Sequence, residues 1–150
     1  KEEDVRPMGR TAHGVKGITL EEGDEVIGME TITPDSTTAI LTVTEGGYGK
    51  RTPVNDYRVQ GRGGKGIISV KTTERNGLAV GFLQVREGDE IMLMAAKGKL
   101  LRCKVDDIRE VGRNTQGVRV LDLDGDDDRV VGVARLAEAA EAAPEDQPEA

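Results

Sequence analysis

The hydrophobic positions of this chain fall into short runs that glycine-containing turns separate. Two paired runs, residues 39–54 and 91–105, turn at Gly47 and Gly98 and predict β-hairpins. The same pattern predicts shorter strands within residues 15–33, 67–72, 78–85, 118–123 and 129–134. No apolar run reaches the length of roughly 18 residues that a membrane-spanning helix needs, so no such helix is predicted. The pattern therefore predicts an all-β protein.

The pattern repeats about every 51 residues, a period typical of repeat architectures. Three loops share the form Gly-Arg-x-x-x-Gly and are numbered here as the first (residues 9–14), second (61–66) and third (112–117) glycine loops. The two hairpins superpose at a constant offset, which places Gly47 over Gly98. About four short strands per repeat predict the blades of a propeller-like array. Residues 1–135 would hold three such repeats, opening inside a repeat as if cut from a longer protein.

Composition excludes a large central core and gives no support to catalysis. Hydrophobic residues make up 36% of the chain and aromatic residues 2%, which fits repeats that bury small faces against their neighbours. The single cysteine, Cys103, cannot form an internal disulfide and suits a reducing cytosol. The single histidine, His13, aligns with Lys65 and Gln116, which favours a solvated loop position. No set of histidine, carboxylate and nucleophile can be assembled, so no catalytic residue is predicted.

Charge is distributed very unevenly along the chain. The net charge is −7, but residues 48–121 hold 15 Lys/Arg against 8 Asp/Glu, whereas residues 122–150 hold 2 against 10. A basic middle followed by an acidic end indicates a polyanion-binding surface with an acidic tail. The tail, residues 136–150, contains alanine and proline and is expected to be disordered.

Two motif matches do not carry the chemistry that they resemble. Residues 61–66 fit the dinucleotide fingerprint Gly-x-Gly-x-x-Gly, but that motif opens a helix and the residues that follow are strand-like. Residues 122–128 resemble a calcium loop, yet Asp127 stands where its sharp-turn glycine belongs. They align with the turns at Gly23 and Gly77, which favours an acidic turn. No metal site is predicted.

Cations near the hairpins and glycine loops are the stronger signal, because several recur at the repeat period. The candidate DNA-binding residues are Arg10, Lys16, Lys50, Arg51, Arg58, Arg62, Lys65, Lys71, Arg102, Lys104, Arg113 and Arg119. Backbone amides of glycine-rich loops can also approach phosphate closely. With two Tyr, one Phe and no Trp, the chain offers no stacking platform for single strands, and no recognition helix is predicted. Sequence-tolerant contact with duplex phosphates remains.

Four segments carry a resemblance to a known family. They are residues 5–10 (Val-Arg-Pro-Met-Gly-Arg), 46–52 (Gly-Gly-Tyr-Gly-Lys-Arg-Thr), 73–78 (Thr-Glu-Arg-Asn-Gly-Leu) and 111–117 (Val-Gly-Arg-Asn-Thr-Gln-Gly). In these the chain resembles the C-terminal domain of the DNA gyrase A subunit, over nearly all of residues 5–135. Residues Gln60, Gly61, Arg62, Gly63, Gly64, Lys65 and Gly66 resemble the family's hallmark heptapeptide Gln-Arg-Arg-Gly-Gly-Lys-Gly, with Gly61 in place of its first arginine.

The resemblance implies a fold, an activity and partners. The family fold is a β-pinwheel, usually of six blades, whose blades exchange strands, and this chain would be its last three. The family wraps duplex DNA around a basic rim, so that an ATP- and Mg²⁺-dependent type IIA topoisomerase introduces negative supercoils. The implied partners are a second A subunit, together with the gyrase B subunit, in the cytoplasm. The fragment itself would hold no catalytic residue and no cofactor. Its acidic tail would either compete with DNA for the basic rim or serve only as a solubilising end.

Two other functions stay open. The corresponding domain of the topoisomerase IV A subunit has a similar fold and wraps DNA less. A protein-interaction propeller would use the same glycine loops only as tight turns.

Overall fold

In the computed structural model, which describes residues 1–32 and 37–136, seven β-strands follow one another in the chain. They are β1 (Ala39–Thr44), β2 (Tyr48–Pro53), β3 (Ala79–Val85), β4 (Glu90–Ala95), β5 (Leu100–Lys104), β6 (Val118–Arg119) and β7 (Val130–Arg135). Three short 3₁₀ turns, Glu2–Asp4, Val54–Asp56 and Val105–Asp107, lie at matching positions of successive repeats. Among the described residues no helix is long and apolar enough to cross a bilayer.

Both predicted hairpins are confirmed. Strands β1 and β2 pair antiparallel from Ala39 opposite Pro53 to Val43 opposite Gly49. Strands β4 and β5 pair in the same way, from Glu90 opposite Lys104 to Met94 opposite Leu100. β-branched and aliphatic residues favour the incoming strands β1 and β4, and each turn contains a glycine with positive φ.

Each hairpin is completed by strands that come from later in the chain. The first sheet has the order β3-β1-β2-β6 and the second β5-β4-β7. Strand β3 pairs with β1 and β7 with β4, both antiparallel. The register of these pairings shifts at Val43/Thr44 and at Met94/Ala95, which are equivalent positions of successive repeats. The repeat and the exchange of strands between its units are therefore present in the fold.

One small core joins the two sheets. Leu41 and Val43 of the first hairpin and Ile91 and Leu93 of the second are fully buried in a single cluster. Val105, Ile108 and Leu121 join it from the connecting segments, and Val130 joins it from the start of β7. Because each repeat contributes only a few side chains, 36% hydrophobic residues suffice for this architecture.

Two predicted strand regions, residues 15–33 and 67–72, hold no strand among the described residues. The repeat gives the reason. Residues 79–85 pair with β1 of the hairpin that precedes them. Val118–Arg119 pair with Tyr48–Gly49 of β2, so they skip the nearer hairpin β4-β5 and reach back to β1-β2. Among the described residues, no hairpin stands in the corresponding position for residues 26–32 and 67–68.

The third predicted strand pair is also corrected. Residues 118–123 form a strand only at Val118–Arg119, and this strand pairs with β2 rather than with residues 129–134, which join the other sheet as β7. Beyond Arg119 the chain packs on Gly47, whose carbonyl accepts N–H groups from Val120 at 2.8 Å and Leu121 at 3.1 Å. A Cβ on Gly47 would collide with the Leu121 carbonyl oxygen, so this packing requires glycine. The predicted tail lies outside the described residues from residue 137 onward.

Candidate nucleic-acid interface

The third glycine loop is docked onto the repeat before it through backbone contacts. The Lys71 N–H donates to the Thr115 carbonyl at 2.9 Å. Gly117 has φ +80°, and a Cβ there would lie 2.7 Å from the Gly49 carbonyl oxygen. A non-glycine residue would therefore be strained and would separate the loop from β2. The loop is thus fixed in position before any ligand arrives.

Lys50 holds this loop from inside the fold. The residue is 0% exposed. Its ammonium donates to the Gly112 carbonyl at 2.8 Å and to the Arg113 carbonyl. Burial, and then the nearby Arg113 charge, lower the pKa of Lys50 to about 8. The structure therefore does not place Lys50 at the surface, and its geometry is that of a support for the loop.

The next two residues of β2 extend this support. Arg51 Nε donates to the Ile108 carbonyl at 2.7 Å, and the Arg51 side chain is only 14% exposed. Thr52 Oγ1 donates to the Val111 carbonyl at 2.9 Å. Three consecutive side chains of β2 thus hold the segment that leads into the third glycine loop. Arg51, also predicted to bind DNA, uses its guanidinium largely for this contact.

Four cations lie in or beside the docked loop and are called here the basic cluster: Lys71, Arg75, Arg113 and Arg119. Arg113 Nη1 donates to the Ile68 carbonyl at 3.0 Å, which lays its side chain across the preceding repeat. The buried Asn76 amide donates to the carbonyls of Lys71 at 2.9 Å and Gln116 at 3.2 Å. One side chain therefore ties the turn that carries Arg75 to both the Lys71 segment and the loop.

Within the cluster, Arg75 and Arg119 bracket the buried ring of Tyr48. Arg75 Nε donates to the Tyr48 hydroxyl at 2.9 Å and Arg119 Nη2 at 3.0 Å. Their guanidinium carbons lie 5.0 and 5.3 Å from the ring centroid, within cation–π range. Hydrogen bonds from Arg119 and then Arg75 lower the pKa of Tyr48. Asp122 offsets part of the charge, since its carboxylate lies 3.1 Å from Arg119 Nη1.

Sequence reasoning missed Arg75. The prediction took cations on the hairpins, in the glycine loops and near them, and several of these recur at the repeat period. Arg75 does not recur, because the positions that match it in the other repeats are Gly23 and Asp126. The Asn-Gly signal at residues 76–77 did locate its turn. What the sequence does not reveal is that this turn packs beside Tyr48.

The second glycine loop, the predicted box-like segment, is docked in the same way one repeat earlier. Thr19 N–H donates to the Gly64 carbonyl at 2.9 Å, which matches the bond from Lys71 to Thr115. Gly63 N–H donates to the Gly17 carbonyl at 2.6 Å, and Thr19 Oγ1 donates to the Gly63 carbonyl at 2.6 Å. The loop contributes Arg62 and Lys65 beside Lys16. All three are exposed, and Lys65 pairs with Glu21 at 3.1 Å.

The remaining residues of the box-like segment contribute backbone shape. Gln60 and Gly61 are exposed, and Gly66 is exposed with φ +79°. The closing glycines of the first and third loops, Gly14 and Gly117, have nearly the same φ, +79° and +80°. The three glycine loops therefore close with one backbone conformation, as their common sequence form predicts.

The other predicted cations are not brought into either docked loop. Arg10 and Arg58 are exposed, and within residues 1–32 and 37–136 neither bonds to another repeat's glycine loop. Arg102 on β5 is paired with Glu90 across the hairpin, with Nε 3.0 Å from the carboxylate. Lys104, at the end of β5, is exposed. The structure thus gathers the predicted residues into two glycine-loop sites and leaves these four outside them.

The acidic turn at residues 122–128 is occupied by lysines of the second hairpin. Lys97 Nζ contacts Asp127 and the Asp124 carbonyl, and Lys99 Nζ lies 2.6 Å from the Asp124 carboxylate. Asp128 is buried, which would raise its pKa, but N–H groups of Lys97, Asp124 and Arg129 outweigh this and lower it. Over residues 1–32 and 37–136, no group of three or more metal-binding side chains is assembled.

Strand-exchanging repeats with basic glycine loops define this chain as a propeller-type repeat domain. The family model "DNA gyrase C-terminal domain, beta-propeller" matches residues 1–33, 38–86 and 89–137. The chain belongs to this family.

Its relatives agree with the assignment. The A subunit of DNA gyrase from Staphylococcus aureus (strain MRSA252) is 50% identical over 146 residues, which is 97% of this chain and 16% of that protein. A solved DNA gyrase A C-terminal domain superposes with a TM-score of 0.81 at 33% identity, over 89% of this chain and 45% of that one. A solved C-terminal domain of DNA topoisomerase IV also gives 0.81, at 29% identity, over 90% and 42%. The chain thus spans 16% of the length of the gyrase protein that it matches.

Proposed function

We propose that this domain binds duplex DNA with little sequence preference and bends it along successive glycine loops. The parent protein would be a gyrase A subunit, working with a second A subunit, together with the B subunit, in the cytoplasm. In that assembly, the wrap would let an ATP- and Mg²⁺-dependent topoisomerase introduce negative supercoils. The domain would contribute binding only, with no catalytic residue of its own.

One observation carries this proposal: the second and third glycine loops share an equivalent docking bond in successive repeats. The bonds from Thr19 to Gly64 and from Lys71 to Thr115 are equivalent, and each loop presents an arginine at the same position, Arg62 or Arg113. A ligand that touches both loops must carry negative charge at regular intervals. The backbone of a duplex has this property, with a phosphate every few ångströms.

The pattern of burial supports contact with phosphates rather than bases. The exposed side chains of both sites are mainly Lys and Arg on rigid loops, whereas Tyr48 is buried and offers no stacking face. Phosphate contacts fix position without reading sequence. Bending is then selected by the deformability of the duplex.

The topoisomerase IV domain is the second candidate, because its solved structure superposes equally well. The 50% identity to a gyrase A subunit favours gyrase. An assay of plasmid topology with the assembled parent enzyme and ATP distinguishes the two candidates. Negative supercoiling of relaxed plasmid is expected for gyrase. Relaxation of a supercoiled plasmid, with relaxed plasmid left unchanged, would assign the chain to topoisomerase IV.

The direct test is the affinity of the 150-residue chain for linear duplex DNA across a salt series. Log affinity should fall linearly with log salt, with a slope of about −0.9 per phosphate neutralised. Reversing Arg62 and Arg113 to Glu should reduce the slope. Arg129→Glu is the control, because Arg129 is exposed beside the acidic turn and away from both loops. Absent or salt-independent binding by a folded chain would refute the proposal and favour a protein-interaction propeller.

A further inference from the structure

We propose that Arg75 and Arg119 jointly hold a single DNA phosphate in front of the Tyr48 hydroxyl. This inference rests on the proposed DNA binding. It assigns one phosphate-binding position, formed by Arg75, Arg119 and Tyr48 and called here the seat. Arg75 is absent from the set of cations that recur at the repeat period, so this seat would belong to one blade only.

The geometry brings two guanidinium groups to one point. Both donate to the same oxygen, Tyr48 Oη, at 2.9 and 3.0 Å. Two nitrogens bonded to one oxygen are at most about 6 Å apart, which is close enough for one phosphate to accept from both groups. The seat is rigid because the Tyr48 ring is 2% exposed and both guanidinium groups stack on it.

The two arginines retain donors for a ligand. Across the described part of the chain, no acceptor bonds to the two terminal nitrogens of Arg75, and Nε of Arg119 likewise has none. Asp122 is the one acid that pairs with either guanidinium there, so a net positive charge remains. Arg75 and Arg119 are both exposed, although the tyrosine between them is buried. Guanidinium forks match phosphate oxygens in geometry and charge, which makes phosphate the preferred occupant.

Two further features tie the seat to the docked loop. Arg119 stands opposite Tyr48 in the pairing of β6 with β2, directly after the third glycine loop. Asn76, next to Arg75, bonds to the Gln116 carbonyl within that loop. Whatever lies along the third glycine loop therefore passes the seat, and a phosphate held there would fix the position of the duplex on this blade.

A double-mutant cycle tests whether the two arginines share one phosphate. The 150-residue chain, Arg75→Gln, Arg119→Gln and the double variant are titrated with a linear duplex across the salt series. If one phosphate is shared, the double variant should reduce the magnitude of the slope of log affinity against log salt by about 0.9. Its fold loss of affinity should be smaller than the product of the fold losses of the two single variants. Arg62→Gln with Arg113→Gln is the comparison pair. These residues lie in different loops, so their slope change should be about 1.8 and their losses should multiply.

Two controls separate the seat from a structural effect. Each variant is first shown to be folded by its unfolding transition in denaturant. Tyr48→Phe keeps the ring but removes the shared hydroxyl. It should weaken the coupling between the arginines while the unfolding transition stays cooperative.

The outcomes distinguish the two proposals. A double variant that loses about 1.8 in slope, with multiplying losses, would show two independent contacts and overturn the shared seat. A double variant that binds like the wild type would show that DNA bypasses the pair, and would also overturn it. Both results leave the proposed DNA binding intact. That proposal fails only if the wild-type chain itself shows no salt-dependent binding.

Discussion

At the residue scale, Lys50 shows that a cation in a basic segment can serve the fold. The ammonium is enclosed and satisfies the carbonyls of Gly112 and Arg113. At the matching position of the next repeat stands Leu101. A leucine cannot support a following glycine loop in this way, and the second sheet holds no strand equivalent to β6 among the described residues. The lysine thus occurs where a docked loop needs it.

The buried ammonium gives the first prediction, a pH dependence of stability. The folded-state pKa of Lys50, about 8, lies below the ordinary value of 10.5, so the unfolded chain binds more protons between these two pH values. The contribution of Lys50 to stability should therefore rise between pH 8 and pH 10, approaching about 1 kcal/mol per pH unit. Denaturant unfolding of wild type and Lys50→Leu measures this difference.

Two controls belong to that experiment. Burial raises the pKa of the Cys103 thiol, which makes stability fall with rising pH, so both proteins should carry Cys103→Ala. Lys104→Leu removes an exposed lysine and should keep the wild-type slope. Equal slopes for wild type and Lys50→Leu would show that the lysine is not buried as described.

The candidate site could be predicted only in part, for reasons visible in single residues. Arg62 and Arg113 were predictable because they recur with the glycines that shape their loops. The inward direction of Lys50 was not, because a lysine within a strand has the same sequence signature whether it faces solvent or carbonyls. The role of Arg75 was not predictable, because its partner Tyr48 lies 27 residues away on strand β2.

At the scale of elements, the turn at residues 73–77 positions part of the basic cluster. Asn76 Oδ1 accepts the Thr73 N–H at 2.7 Å and the Thr73 hydroxyl at 2.9 Å, while its amide donates to Lys71 and Gln116. All four bonds are partly buried. One side chain therefore joins the turn, the preceding segment and the third glycine loop.

This arrangement predicts a large effect of Asn76→Ala. Losing four bonds and leaving buried partners unsatisfied should lower the free energy of unfolding by about 2 kcal/mol or more. DNA affinity should fall as well, because Arg75 and the loop lose their common anchor. Asn114→Ala is the matched control: Asn114 is an exposed asparagine in the third glycine loop, and its effect should stay within about 0.5 kcal/mol. Comparable losses for the two variants would contradict the anchoring role.

The hairpins were predictable, and so were the strands at residues 78–85 and 129–134, which are present as β3 and β7. The sheet partners of these outer strands were not predictable, because strand formation and strand pairing depend on different ranges of interaction. A hairpin is specified by alternation and by its own turn, as in residues 39–54. Strand β6 exists only through pairing with β2, which lies more than one repeat earlier in the chain, and no local signal encodes that partner. Residues 67–72 carry an equally good strand pattern, yet they form none in the described structure.

At the scale of the whole molecule, the exposed apolar side chains are concentrated in the first repeat. Val26 is 64% exposed and Met29 89%, and Ile18, Leu20, Ile27 and Ile32 are each exposed by more than two fifths. Their counterparts one repeat later include Ala79, Val80 and Phe82, which lie partly buried in β3 against the first hairpin. Apolar exposure on this scale marks a surface that another element covers.

The repeat predicts that a hairpin could cover this surface, and grafting one tests the prediction. The 3₁₀ turn Glu2–Asp4 matches Val54–Asp56, so a copy of residues 38–53 joined to Glu2 in place of Lys1 reproduces the spacing. The added hairpin should pair with residues 26–32 and 67–68, because these match β3 and β6. Amide hydrogen exchange at those residues should slow by more than about tenfold, since each pairing adds at least about 1.4 kcal/mol to local opening. A graft with aspartate at its copies of Leu41 and Val43 cannot bury its core face, and should leave the exchange fast. If the intact graft folds and exchange at residues 26–32 is unchanged, strand exchange does not extend to the first repeat.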